Sequence, residues 1–203
     1  YPFGIPISDN FLSDEKKVDQ VKQELKLEDK FTVLLMGGSF GAGNIRDNLT
    51  ELLESSYDFQ IVVITGRDTS LKNRLDSMLE VLQPDKNVIV LGFTKNMPEL
   101  MTIGDVLVTK PGGLTTTEAI IKEIPMIIPF YIPGQEEGNV DYLMNNGMAL
   151  KTSNTYSLSA LIEMLIDNPE RLEEMSDRMA KRRKTDSAAK IAELTVDLIN
   201  KNR

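Results

Sequence analysis

Short apolar runs alternate along this chain with longer stretches in which apolar residues recur every three or four positions. The runs FTVLLM (31–36), FQIVVIT (59–65), NVIVLG (87–92), DVLVT (105–109) and PMIIPF (125–130) are rich in Val, Ile and Leu, and each ends near Gly, Pro or Thr. A strand covered on both faces has no wet side to show, so these runs predict buried parallel strands. A weaker sixth strand is predicted at 148–151, after Gly147. Over 69–82, Leu71, Leu75, Met78, Leu79 and Leu82 fall on one face of a helix. Segments 44–56, 115–124 and 137–146 predict shorter helices, and 14–27 predicts a charged amphipathic helix ahead of the first strand. Beyond residue 155 the helical pattern runs to the end, broken at Asn168-Pro169 and at Thr185-Asp186-Ser187. Strands alternating with helices give an α/β domain with right-handed crossovers. The expected fold is a doubly wound, mostly parallel six-stranded Rossmann-like sheet in the order 3-2-1-4-5-6, with carboxyl-terminal helices. An eightfold barrel would need more repeats than the pattern offers.

Composition narrows the chemistry. The 203 residues are 41% hydrophobic and carry a formal net charge of −8, enough chain for a full core and an acidic surface that argues against a nucleic-acid partner. There is no Cys, which removes disulfides and thiolate metal sites. There is no His either, which removes a Ser-His-Asp triad, a Cys-His pair and any histidine base within this chain. No apolar run approaches the length of a membrane span. The opening Tyr1-Pro2-Phe3-Gly4-Ile5-Pro6 reads as a linker, and the chain is expected to be a domain from a longer protein.

In a doubly wound sheet, ligands bind at the carboxyl ends of the strands, near the switch point between the first and fourth. Two glycine-rich loops fall there: Gly37-Gly38-Ser39-Phe40-Gly41-Ala42-Gly43 after the first strand and Pro111-Gly112-Gly113 after the fourth, each leading into a helix. Glycines let a ligand approach the backbone, and helix N-termini offer free N–H groups to phosphate. Neither loop carries G-x-G-x-x-G or Gly-Lys-Ser/Thr, so an NAD fingerprint and a P-loop are both missing. Glu118 has two readings. Thr115-x-x-Glu118 matches a capping box, in which the Glu bonds back to the N-cap N–H. Alternatively, a carboxylate with several acceptor sites holds a vicinal diol such as a ribose. A third loop, Pro133-Gly134-Gln135-Glu136-Glu137-Gly138-Asn139, reads either as a solvated turn or as a clamp on sugar hydroxyls.

Taken together, the interdomain Gly4-Ile5-Pro6-Ile7, GGSFGAG, ITGRD (64–68), GFTKNMPELM (92–101), TKPGGLTTTEA (109–119) and PGQEEGN (133–139) resemble the carboxyl-terminal, donor-binding domain of GT-B glycosyltransferases of family 28. Among them, TKPGG-x-T with PGQE-x-GN is similar to the diacylglycerol branch, which holds the monogalactosyldiacylglycerol synthases and the processive diacylglycerol glucosyltransferases. The resemblance implies one half of a GT-B fold: residues 1–13 a linker remnant, 14–203 the UDP-sugar domain, and an amino-terminal acceptor domain outside this chain. It implies that Glu118 binds the ribose hydroxyls, that the backbone of Gly92 and Phe93 meets the uracil, and that Met97 packs nearby. Gly38, Ser39, Gly112, Gly113 and Thr115 are expected around the diphosphate, and Gln135 and Glu136 at the hexose, with Asn139 supporting that loop. Arg67 and Lys110 are secondary candidates for the phosphates.

The implied reaction is inverting transfer of glucose or galactose from UDP-glucose or UDP-galactose to diacylglycerol, with no metal and no cofactor. Acceptor pocket and base are expected in the amino-terminal domain, so this chain is expected to bind UDP or the donor without turnover. The whole enzyme is expected in the cytoplasm, peripheral to the inner face of the cell membrane. Where relatives often carry a basic residue after Gly-Ile-Pro-Ile, this chain has Ser8. Its one basic run, Lys181-Arg182-Arg183-Lys184, reads as a solvated helix face or a weak lipid contact. The competing expectations are a UDP-sugar 2-epimerase, whose sites use histidines this chain lacks, and a non-catalytic nucleotide-binding module.

Overall fold

Six parallel strands build one sheet in the computed structural model of the protein, which describes residues 1–12, 18–37 and 44–201. They are β1 (Thr32–Met36), β2 (Gln60–Ile64), β3 (Val88–Leu91), β4 (Val106–Val108), β5 (Met126–Ile128) and β6 (Ala149–Lys151). Their order is β3-β2-β1-β4-β5-β6, as expected, with the switch point between β1 and β4. Register is set by apolar pairs along the centre of the sheet: Leu34 lies opposite Val62 on one side and Leu107 on the other.

The helices are α1 (Val18–Glu24), α2 (Ile45–Glu54), α3 (Thr69–Leu82), α4 (Met97–Ile103), α5 (Gly113–Ile121), α6 (Glu137–Asn145), α7 (Leu158–Asp167), α8 (Pro169–Ala180) and α9 (Ser187–Lys201). Because side chains alternate across a strand, the sheet feeds two cores. Leu34, Val62, Ile64, Leu107, Met126 and Ile128 point to one, which α4, α5 and α6 cover with Leu100, Met101, Ile120 and Leu143. Val33, Leu35, Ile61, Val63, Val106 and Ile127 point to the other, beneath Leu49, Leu75, Ile162 and Met175 of α2, α3, α7 and α8. Each such side chain, fully removed from water, stabilises the fold by roughly 1.5–3 kcal/mol before entropy is counted.

Polar ties complete the frame. Gln60, buried at the start of β2, accepts from Glu28 N at 3.0 Å and donates to Glu28 O and Thr32 Oγ1. Asp105, whose carboxyl burial pushes up, accepts from Thr32 N at 2.6 Å and so pins the starts of β1 and β4 together. At Gly104 the sheet and its helix come too close for any side chain: a Cβ there would lie 2.6 Å from Leu34 Cγ.

Two departures from the sequence reading bear on the site. Helix α4 was not foreseen, because seven residues opened by Met97-Pro98 give too short a period to recognise. Helix α5 begins at Gly113, two residues ahead of the expected 115, with Gly112 as its N-cap.

Candidate functional site

Five strands deliver their following loops to the carboxyl edge of the sheet, β1 to β5, and the expected site residues lie on those loops or on the helices that follow them. The β1 loop opens at Gly37, whose missing side chain leaves room for α2: a Cβ there would sit 2.5 Å from Ile45 Cδ1. Gly38 and Ser39 lie outside the described residues.

The β2 and β3 loops meet on one side of the switch point. After β2, Gly66 takes φ +61°, which lets the chain turn sharply, and Asp68 caps α3 by accepting from Leu71 N at 2.8 Å. Thr65 donates to Leu91 O through its backbone N–H and its hydroxyl, tying the two strand ends together. Gly92 then passes close by, 3.7 Å separating the position of a Cβ there from Gly66 O. Phe93 stands 63% exposed with the Arg67 guanidinium 5.5 Å from its ring centroid. The exposed ring and the cation beside it form a cation–π pair at the carboxyl edge of the sheet. Arg67, a secondary candidate for the phosphates, thus has the Phe93 ring as its neighbour in the structure. Met97 begins α4, half-buried against the core.

The β4 loop turns directly into α5. Gly112, at φ −66° and ψ 144°, is the N-cap and has no side chain with which to cap the helix start. The first intrahelical tie is Thr116 N donating to Gly112 O at 2.8 Å, which leaves the N–H groups of Gly113, Leu114 and Thr115 without intrahelical acceptors. Those groups carry the positive end of the helix dipole, about half an elementary charge.

This start excludes the capping box. Thr115 is the third residue of α5 and Glu118 the sixth, a full turn beyond the reach of the N-cap N–H. Among the described residues nothing donates a hydrogen bond to the Glu118 carboxylate, and its half-buried position alone pushes its pKa up. Burying a carboxylate without a partner is unfavourable. A carboxyl raised in this way at the carboxyl edge of a doubly wound sheet is a candidate binding residue.

The β5 loop is a tight turn at Ile132–Glu136, with Gly134 at φ +78°. It presents Gln135 to solvent and turns Glu136 inward until only 2% of the residue is exposed. Glu136 Oε1 pairs with Lys110 of the β4 loop, and Glu136 Oε2 accepts from Ile132 N at 3.0 Å. Asn139, in the first turn of α6, donates through Nδ2 to Pro111 O at 2.8 Å. Two cross-links thus join the β4 and β5 loops. The sequence reading missed the Lys110–Glu136 pair; the available signal was a Lys just past one strand and a Glu at the helix start after the next, on strands predicted to be neighbours.

One linker residue reaches the start of α5: a Cβ on Gly113 would lie 3.2 Å from Ile5 Cδ1. Ser8 serves as the N-cap of a single 3-10 turn, Asp9–Phe11. In the basic run, Arg182 donates to Arg178 O at 3.2 Å, Arg183 pairs with Glu123 at 2.6 Å and Lys184 donates to Pro2 O at 2.5 Å, so three of its four side chains are engaged within the chain. Among the described residues no cluster of three or more His, Cys, Asp or Glu could hold a metal ion, and no helix is long and apolar enough to cross a membrane.

Comparison with known proteins gives this edge a context. Residues 32–193 match the glycosyltransferase family 28 C-terminal domain. The chain is 34% identical over 198 residues to the processive diacylglycerol beta-glucosyltransferase of Staphylococcus saprophyticus, covering 97% of this chain and 50% of that protein. It is also 34% identical over 188 residues to the chloroplastic monogalactosyldiacylglycerol synthase 2 of Arabidopsis thaliana, covering 88% of this chain and 39% of that one. The chain thus spans about half the length, or less, of these curated relatives. Among solved structures, Anabaena HepE in complex with UDP-glucose superposes with a TM-score of 0.71 at 16% identity, over 94% of this chain and 56% of that one, a likeness of fold.

Proposed function

The chain belongs to the glycosyltransferase family 28 C-terminal domain family, and from that premise we propose that it is the nucleotide-sugar donor half of a hexosyltransferase. The whole enzyme, in this reading, moves glucose or galactose from a UDP-sugar to the hydroxyl of a diacylglycerol-type lipid while lying peripherally on the inner face of the cell membrane. The names of its relatives support the lipid acceptor and the hexose class. The chain by itself binds the donor and does not turn it over, because acceptor pocket and base are supplied from outside it.

What carries this reading is the pairing of an uncapped helix start with an unpartnered carboxylate one turn further on, at the switch point of the sheet. The free N–H groups of α5 suit a diphosphate, and Glu118 suits the two ribose hydroxyls, which a carboxylate can accept at once. The backbone of Gly92 and Phe93 takes the uracil with Met97 beneath. Gly112, Gly113 and Thr115 border the diphosphate together with Gly38 and Ser39 of the first loop. Gln135, exposed on the neighbouring turn, reaches the hexose.

Chemically, the acceptor oxygen forms its bond to the anomeric carbon as the bond from that carbon to the β-phosphate oxygen breaks, so the configuration inverts. The electron pair leaves with UDP. Donors already aimed at the departing oxygens stabilise that charge without reorganising, which is where this half lowers the barrier, and no metal is invoked. Titration calorimetry of the chain with UDP, UDP-glucose, UDP-galactose and ADP tests the proposal. The expected outcome is binding of UDP and of UDP-hexoses in clear preference to ADP; a folded chain that binds no UDP contradicts it.

A further inference from the structure

The family resemblance places Glu136 on the hexose, and in the structure both of its carboxylate oxygens have partners within the chain. Its side chain is 3% exposed, one oxygen paired with Lys110 and the other bonded to Ile132 N. Its neighbour Gln135 is the exposed one of the two. Lys110 in turn stands where a cation is electrostatically misplaced. A Cβ on Gly112, the N-cap of α5, would come within 3.6 Å of Lys110 Nζ and 3.9 Å of Glu136 Oε1. The ammonium therefore sits at the positive end of the α5 dipole, an end that favours anions and disfavours cations. An ammonium has three donors; Glu136 takes one, and the side chain retains 16% of its exposure.

We propose that Glu136 is a positioning residue that holds Lys110 at the start of α5, and that Lys110, so held, is the side-chain cation for the diphosphate of the donor. This rests on the donor-site reading given above and adds to it the roles of these two residues. A lysine stem has four rotatable bonds, and without a fixed acceptor its ammonium would sample water instead of one point beside the helix. The Asn139-to-Pro111 bond clamps the same two loops from the other side, so the ammonium is fixed by both loops at once. When the diphosphate arrives, two N–H groups of Lys110 are already aimed beside the free N–H groups of α5. Glu136 stays behind them and never touches the sugar.

A panel of three ligands tests this on the chain as it stands: uridine, UDP and UDP-glucose, titrated into wild type, Glu136→Gln, Lys110→Met and the double variant. The glutamine keeps the shape of Glu136, and the double variant leaves no unpaired buried charge, so it remains interpretable should Glu136→Gln fold poorly. The expected result is that Glu136→Gln weakens UDP and UDP-glucose by the same factor, about 5- to 10-fold, and leaves uridine unchanged. Lys110→Met should lose at least as much, and the double variant no more than Lys110→Met alone. Weakening of UDP-glucose with UDP intact would return Glu136 to the hexose and overturn the proposal. So would equal weakening of all three ligands, which marks a merely structural role, or UDP binding unchanged or tightened in Glu136→Gln. Failure of wild type to bind UDP at all is a different outcome, and strikes the donor-site reading itself.

Discussion

Two carboxylates on the same sheet edge, Glu118 and Glu136, have opposite environments. Glu136 is almost wholly buried, yet both its oxygens are engaged, one by Lys110 and one by Ile132 N. Glu118 is only half-buried, yet no described residue donates to it, and burial alone raises its pKa. The difference teaches that depth alone does not mark a functional acid. The deeper one is complete within the chain and holds two loops together. The shallower one has no donor among the described residues, which makes it the candidate to meet a ligand.

The comparison can be broken by mutation, and the largest effect belongs to the deeper acid. Glu136→Ala strands the Lys110 ammonium, and denaturant unfolding should record a loss of about 3–5 kcal/mol, as for other broken buried pairs. A loss below about 1 kcal/mol would mean the pair does not hold the loops. A second contrast concerns helix starts. Asp68 caps α3 and Asp68→Ala should cost about 1 kcal/mol. Thr115 caps nothing, so Thr115→Ala should fall within about 0.5 kcal/mol of wild type. A cost at Thr115 equal to that at Asp68 would revive the capping box. The smallest effect is the dependence of stability on pH through Glu118. Its folded pKa lies above its unfolded one, so protonation favours the folded chain. Its contribution is fully present below the unfolded value, about 4.3, and is lost as pH rises through the folded value. Glu118→Gln should therefore match or exceed the thermal stability of wild type at neutral pH, and any such advantage should vanish toward pH 4.

These contrasts also mark how far the sequence could be read. Strands β1, β2, β4 and β5 were legible because a strand buried on both faces writes itself as an unbroken apolar run; the edge strand β3, only half-buried, carries the same kind of run. The glycine loops and Glu118 were legible as a site because the order of the sheet puts them on one edge. The start of α5 was not: Gly112 and Gly113 are poor helix formers, so Thr115 looked like the cap, whereas the first turn, with few intrahelical bonds to lose, accepts glycine readily. Helix α4 was hidden by its brevity and by Pro98. The Lys110–Glu136 pair spans 26 residues and exists only because β4 and β5 are neighbours, a fact of topology that no local pattern displays. The same pair explains why Glu136 and Gln135, adjacent in a motif that reads as one clamp, face opposite ways.

In the proposed site, Glu118 receives the ribose of the donor. Calorimetric titration of UDP into Glu118→Gln, paired with its melting curve, tests it most directly. The glutamine keeps one acceptor and loses the charge, so UDP affinity should fall by about 10- to 100-fold, with a melting temperature equal to or above that of wild type. Full UDP affinity in that variant, or a fall in melting temperature matching the loss of binding, would contradict it.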